Sequence, residues 1–136
     1  MTPKKISEDL SVEGQPALSD FADAARLGFR TVISARPDGE QPGQTGAVEI
    51  EQAARAAGLE FAHIPVVPGK IEGSDVAAFT AAFESLPKPV LGFCRTGMRA
   101  ATLWALSQAG KQDADALIEA AKNAGFDLSP LRGKLR

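Results

Sequence analysis

Short apolar runs alternate along this chain with longer stretches of helical periodicity, and that alternation constrains the fold more than any other feature. Strands separated by helices cannot pair as hairpins, so each must return by a crossover, which gives an α/β domain on a mainly parallel sheet. Ile6 to Val12 reads as a first, edge strand, broken by Gly14-Gln15-Pro16. Ser19 can cap a helix reaching Leu27, with Phe21, Ala24, Ala25 and Leu27 turned inward and Gly28 ending it. Phe29 to Ser34 is a strand rich in β-branched residues, followed by the turn-rich Arg36-Pro37-Asp38-Gly39-Glu40. Thr45 opens the next helix, with Val48, Ala53, Ala56 and Ala57 as its buried stripe before Gly58. Leu59 to Val67 follows as a strand closed by Pro68-Gly69. Ser74 caps a helix to Leu86 in which Val76, Phe79 and Phe83 recur at helical spacing. After Pro87-Lys88-Pro89, Val90-Leu91-Gly92-Phe93 is the short apolar run expected of a central buried strand. A helix then begins beyond Cys94 and runs to Ala109, and a last one spans Asp113 to Ala124. The pattern predicts four or five strands flanked by helices, in one domain covering residues 1–136.

Fifteen basic residues against seventeen acidic leave a net charge of -2, which argues against nucleic-acid and membrane binding. The one basic stretch, Arg132-Gly133-Lys134-Leu135-Arg136, reads as a solvated tail. No apolar run approaches the ~18 residues of a membrane helix, and the lysines near Met1 are followed by no apolar stretch of a secretory signal. With a single cysteine and no such signal, the expected compartment is the reducing cytoplasm. One cysteine and one histidine, Cys94 and His63, do not make a structural zinc site, and no nucleotide-binding fingerprint occurs, so neither metal nor cofactor is expected.

Cys94 stands at the end of the central strand, before Arg95-Thr96-Gly97-Met98-Arg99 and a helix. Residues at the carboxyl ends of such strands lie on the ligand-binding rim of an open α/β sheet. The following helix turns its amino end toward the same spot, with unpaired N–H groups and roughly half a positive charge. Gly97 can take the positive φ of a tight loop, so that successive amides form an anion nest. Arg95 and Arg99 add guanidiniums able to grip an anion in two-pronged fashion. Helix ends and cations favour the thiolate, the nucleophilic form of cysteine. Reading Cys94 as a small buried hydrophobe leaves two arginines and a glycine unexplained. Cys94 and Arg99 are therefore the candidate catalytic pair, Arg95, Thr96, Gly97 and Met98 the anion-binding loop, and a small thio-anion or phosphate ester the substrate. The Thr96 hydroxyl either donates to the thiolate or helps cap the helix.

Val90-Leu91-Gly92-Phe93-Cys94-Arg95-Thr96-Gly97-Met98-Arg99-Ala100 resembles both the rhodanese sulfurtransferase loop and the phosphate loop of cysteine-dependent tyrosine and dual-specificity phosphatases. Leu10 to Pro16, Gly28 to Ile33, Arg36 to Glu40, His63 to Val66 and Cys94 through Trp104 resemble, in order, the bacterial phosphatase-like domain of beta-lactamase-hydrolase-like proteins. That resemblance implies a dual-specificity-phosphatase-like fold with Cys94 as nucleophile. Relatives carrying this domain beside a metallo-hydrolase-like domain suggest a partner in persulfide metabolism.

The phosphatase signature places five residues between cysteine and arginine, whereas Arg99 follows Cys94 after four and Ala100 stands at the phosphatase arginine position. The six-residue Cys94–Arg99 loop has the rhodanese length. A shorter loop makes a smaller bowl, better suited to terminal sulfur than to a tetrahedral phosphoryl group. The first expectation is thus a sulfurtransferase in which Cys94 carries a persulfide to a thiol acceptor. Phosphomonoester hydrolysis through a phosphocysteine comes second. A non-catalytic anion- or partner-binding module comes third, because a retired site has no reason to keep Cys94 and both arginines.

Phosphate hydrolysis also calls for an acid to protonate the leaving oxygen. After His63-Ile64-Pro65, where relatives place an aspartate, this chain has Val66 and Val67. Asp38 and Glu40 are the substitutes by topology, with Arg36 on the same rim, although a solvated turn explains these three equally well. His63 reads as a strand histidine satisfied by backbone, Leu103, Trp104 and Leu106 as core, and Lys70 and Glu72 as loop charges.

Overall fold

The computed structural model describes residues 1–136. Its strands are β1 (Lys4–Lys5), β2 (Leu10–Glu13), β3 (Thr31–Ser34), β4 (Glu60–His63) and β5 (Val90–Phe93). Its helices are α1 (Asp20–Arg26), α2 (Ala47–Ala56), α3 (Gly73–Ser85), α4 (Met98–Gln108) and α5 (Ala114–Asn123), followed by a 3-10 helix at Ser129–Lys134. The strands form one sheet in the order β1-β2-β5-β3-β4, parallel throughout except for β1 at the edge.

Strand alternation divides the sheet's side chains between two cores. Val90 of the central β5 and Cys94 just beyond its end face one way, with Leu10, Val12 and Ile33, against Phe79 and Phe83 of α3, Leu103 and Trp104 of α4, and Leu117 of α5. Leu91 and Phe93 face the other way, with Val32, against Phe21 of α1 and Ile50 and Ala54 of α2. Burial on both faces is why β5 reads as an unbroken apolar run.

The elements follow the expected order, and the differences lie at their ends. The first strand is shorter than Ile6 to Val12: the N–H groups of Ile6 and Ser7 both bond the Leu10 carbonyl, and this tight reversal turns Lys4–Lys5 back antiparallel to β2. Leu27 is 63% exposed and Val48 68% exposed, so neither belongs to a buried stripe; Ile50 and Ala54, four apart, carry that role in α2. Gly46, not Thr45, caps α2. Glu72, not Ser74, caps α3, in a reciprocal box with Asp75. The strand expected to reach Val67 ends at His63, although Ile64 and Val66 still donate to the carbonyls of Ser34 and Ala35. Leu103 and Trp104 are buried as expected.

The basic C-terminal stretch is not a solvated tail. Leu135 is fully buried with Leu128 in the larger core, and Arg132 pairs with Asp115 of α5. Charged residues on the open side of a 3-10 turn mask a leucine on its inner side. No helix is long and apolar enough to cross a membrane.

Leu135→Ala should therefore cost about 2–5 kcal/mol, the range for truncating a buried leucine. A denaturant titration reads this, and a midpoint unchanged from wild type would return the segment to solvent.

Candidate active site

The carboxyl end of β5 lies between those of β2 and β3, where Glu13 pairs with Phe93 and Ser34 with the same Phe93. Cys94 follows at once and is 1% exposed. Gly97, at φ +99°, ends the loop and caps α4, and its N–H donates to Cys94 Sγ at 3.1 Å. Only glycine fits there: a Cβ would stand 2.9 Å from the Phe126 ring and 3.3 Å from the Glu13 carbonyl oxygen, in a left-handed backbone.

Two of the loop's carbonyls are engaged by other backbone N–H groups. The Arg95 carbonyl accepts the Gln15 N–H, and Gly14 lets the β2–α1 connection approach it, since a Cβ on Gly14 would come within 2.8 Å of that oxygen. The Gly97 carbonyl is taken by Ala101 inside α4. Thr96 Oγ1 accepts the Met98 N–H at 3.4 Å, so of its two expected roles it takes the capping one. Arg95, Thr96 and Met98 are exposed.

Arg99 is buried in the first turn of α4 and held from behind. Its Nη1 donates to Glu40 Oε2 at 2.7 Å and to the Val66 carbonyl at 2.8 Å, and its Nη2 donates to Glu40 Oε1 at 2.9 Å. A guanidinium has five N–H donors. These three bonds leave one on Nη2 and the one on Nε, side by side, and the guanidinium also bonds the neighbouring Cys94 side chain. Burial works against the Arg99 charge, but the Glu40 bonds and the neighbouring Cys94 outweigh it and strengthen its hold on the proton.

Arg36, 4% exposed, grips Glu40 from the other side through Nε at 2.9 Å and spends its remaining nitrogens on Gln15 and Gln41. Its carbonyl receives His63 Nε2 at 2.8 Å, the backbone partner expected for that histidine. The Arg99 hydrogen bond, against the opposing effect of burial and with help from Arg36, holds the Glu40 carboxyl below its usual range.

Arg36 and Glu40 thus join Cys94 and Arg99, with Glu40 as the ionised partner of two guanidiniums. Asp38 does not join them, because its Oδ1 accepts the Ala47 N–H at 2.8 Å and secures the start of α2. Three partners had no signal of their own. Gln15 lay in a segment that reads as a strand breaker, Gln41 in a polar turn, and Val66 acts through its carbonyl rather than its side chain.

Residues 3–111 match the family described as beta-lactamase hydrolase-like protein, phosphatase-like domain. A beta-lactamase hydrolase-like protein of Agrobacterium fabrum is 38% identical over 130 residues, covering 94% of this chain and 30% of that protein. The chain thus spans less than a third of the length of the curated relatives it matches. The crystal structure of a proposed phosphatase from Neisseria meningitidis superposes with a TM-score of 0.86 at 34% identity, covering 96% of this chain and 94% of that one. Tk-PTP in its active form shares the fold at a TM-score of 0.75 and 20% identity, over 98% of this chain and 92% of that one. The family and the Neisseria relative are described as phosphatase-like and as a phosphatase, which supports the phosphatase alternative over the sulfurtransferase expected first.

Glu40→Gln should lower stability by about 3 kcal/mol at neutral pH, since it leaves two buried guanidiniums without their carboxylate. A carboxyl with a depressed folded pKa contributes stability above its unfolded value near ~4.3 and loses it as pH falls through the folded value. The gap between wild type and variant should therefore close in acid, and thermal melts from pH 7 downward would show it. Glu13 has the opposite sign: burial first, then Asp20, raises its carboxyl above the usual range. Its ionised form costs stability at neutral pH, so Glu13→Gln should raise Tm at pH 7 to 8 and gain nothing near pH 4.

Proposed function

The chain belongs to the family of phosphatase-like domains of beta-lactamase hydrolase-like proteins, and on that premise we propose that it hydrolyses phosphomonoesters with the Cys94 thiolate as nucleophile. The observation that carries this reading is the Arg99 guanidinium, fixed by Glu40 and Val66 beside the Cys94 sulfur. A phosphoryl group in flight spreads negative charge over its equatorial oxygens, and a preorganised fork stabilises it without further reorganisation.

The thiolate attacks phosphorus, an S–P bond forms and the P–O bond to the leaving group breaks, with the electron pair leaving on that oxygen. Water then attacks the phosphocysteine, which releases inorganic phosphate and restores the thiolate. The Gly97 N–H, 3.1 Å from the sulfur, stabilises the thiolate before attack and after release. Arg99 holds two phosphoryl oxygens through both steps. Asp38 and Glu40 are committed elsewhere, so the leaving oxygen departs with little protonation from the protein.

Sulfur transfer through a Cys94 persulfide rests on one observation, the four residues between Cys94 and Arg99. The metallo-hydrolase-like partner in persulfide metabolism draws no support from the relatives' descriptions.

The test is turnover of 4-nitrophenyl phosphate together with intact mass after exposure to thiosulfate. Wild type should release nitrophenol and gain no sulfur. Cys94→Ser should lose all turnover, and Arg99→Lys, which keeps the charge but not the fork, about 10²–10³-fold in kcat. Rates should fall steeply from nitrophenyl to phenyl to alkyl phosphates as the leaving group becomes more basic. A mass gain of one sulfur on Cys94 without aryl phosphate hydrolysis would replace this reading with sulfur transfer.

A further inference from the structure

Gln15 is tied twice, once through its backbone and once through its side chain. Its N–H donates to the Arg95 carbonyl at 3.4 Å, and its Oε1 accepts from Arg36 Nη1 at 2.9 Å. Arg36 in turn bonds Glu40, and Glu40 bonds Arg99. These bonds form a closed circuit that leaves the Cys94 loop at Arg95 and re-enters it at Arg99. Gly14 allows the circuit to close: its φ is not positive, yet a Cβ there would stand 2.8 Å from the Arg95 oxygen. The glycine is thus required by the approach to Arg95 and not by its own backbone conformation.

A trans peptide points its N–H opposite to its carbonyl, and the Arg95–Thr96 peptide is trans. Holding the Arg95 oxygen against the β2–α1 connection therefore turns the Thr96 N–H to the other side of the loop. No acceptor in the chain takes that N–H, and the Gln15 bond is the one hydrogen bond this peptide makes. The loop's own bonds, from Gly97 N–H to Cys94 Sγ and from Met98 N–H to Thr96 Oγ1, fix the peptides that follow it. We propose that Gln15 is a positioning residue for the anion site, holding the Thr96 amide and the Arg99 guanidinium in one frame so that both meet the same bound oxyanion. The inference rests on the phosphatase reading for the identity of that oxyanion and adds how its donors are held before it arrives. Gln15 acts through Arg95 and Arg36, not on the anion itself. Donors fixed in advance need little reorganisation when charge arrives, and an unclaimed loop amide beside a guanidinium is suited to an anion.

Tungstate, a tetrahedral oxyanion, reads the site without turnover. Calorimetry should find that wild type binds it and that Gln15→Met, which keeps the side chain's length but not its acceptor, binds it about tenfold more weakly, the scale of one hydrogen bond to a charge. Gly14→Ala, which displaces the Arg95 carbonyl, should weaken binding by about the same factor. With Glu40→Gln already in place, Gln15→Met should cost less than about threefold, because the circuit is already weakened on its far side. A packing role alone would lower Tm and leave these affinities at their wild-type values. A Gln15→Met chain that melts cooperatively and binds tungstate like wild type overturns the proposal, as does an undiminished loss on top of Glu40→Gln. Should Gln15→Met not fold, the affinity of Gly14→Ala decides in the same way. In each of these cases the phosphatase reading stands. Wild type that binds no tungstate overturns both.

Discussion

One carboxylate holds the site together. Glu40 lies between Arg99 and Arg36, and through these two guanidiniums it joins four separate stretches of chain: the Cys94 loop, the turn after β3, the segment after β4 at Val66 and the β2–α1 connection at Gln15. Charges taken out of water cost several kcal/mol each unless well paired, so an arrangement with three buried or half-buried ions persists only because each donor has a partner. Two cations against one carboxylate leave one net positive charge, beside a helix amino end and an amide aimed at the sulfur. The network is thus a structural clamp with one positive charge in excess, set beside Cys94, whose thiolate in the proposed mechanism balances it.

The parts of this arrangement that were legible in the sequence are those with a local signature. β5 announces itself because both of its faces are buried, and the Cys94 loop because a strand, a glycine and two arginines follow one another within ten residues. Glu40 and Arg99 are 59 residues apart, and no periodicity connects them. Glu40 was visible only as a member of a turn, equally suited to solvent, and its function depends on which strand lies beside which. The order β2-β5-β3 places the turns after β2 and β3 on either side of the Cys94 loop. Reading that order from sequence would have required knowing which strand is central, and only the uniformly apolar run of β5 hinted at it.

Chain ends were misread for a related reason. Leu135 sits among Arg132, Lys134 and Arg136, so its neighbours suggest solvent, yet it is fully buried. A leucine's burial is set by what lies opposite in space, here the α5 face to which Arg132 ties the segment through Asp115. The caps behave alike: Ser74 and Thr45 have good capping chemistry, but Glu72 forms a reciprocal box with Asp75 at α3, and at α2 Gly46 is the cap while Asp38 takes the Ala47 N–H.

Loop length was a weaker guide to chemistry than the geometry behind the loop. Counting residues from cysteine to arginine estimates the size of a bowl on the assumption that the arginine closes its rim. Here Arg99 does not close a rim; it is the second residue of α4, in its first turn, and its long stem carries the guanidinium to wherever Glu40 and the Val66 carbonyl anchor it. The loss of one residue is absorbed by the reach of the side chain, and the guanidinium is aimed by residues outside the loop. The same anchoring has a chemical consequence. A carboxylate cannot be both the ionised clamp of an arginine and the proton donor to a leaving group, because the first role needs its charge and the second its proton. By committing Glu40 to Arg99, the fold gives up that carboxyl as an acid and gains a fixed guanidinium beside Cys94. On the proposed phosphatase reading, such a site favours esters whose alcohols need little help to leave.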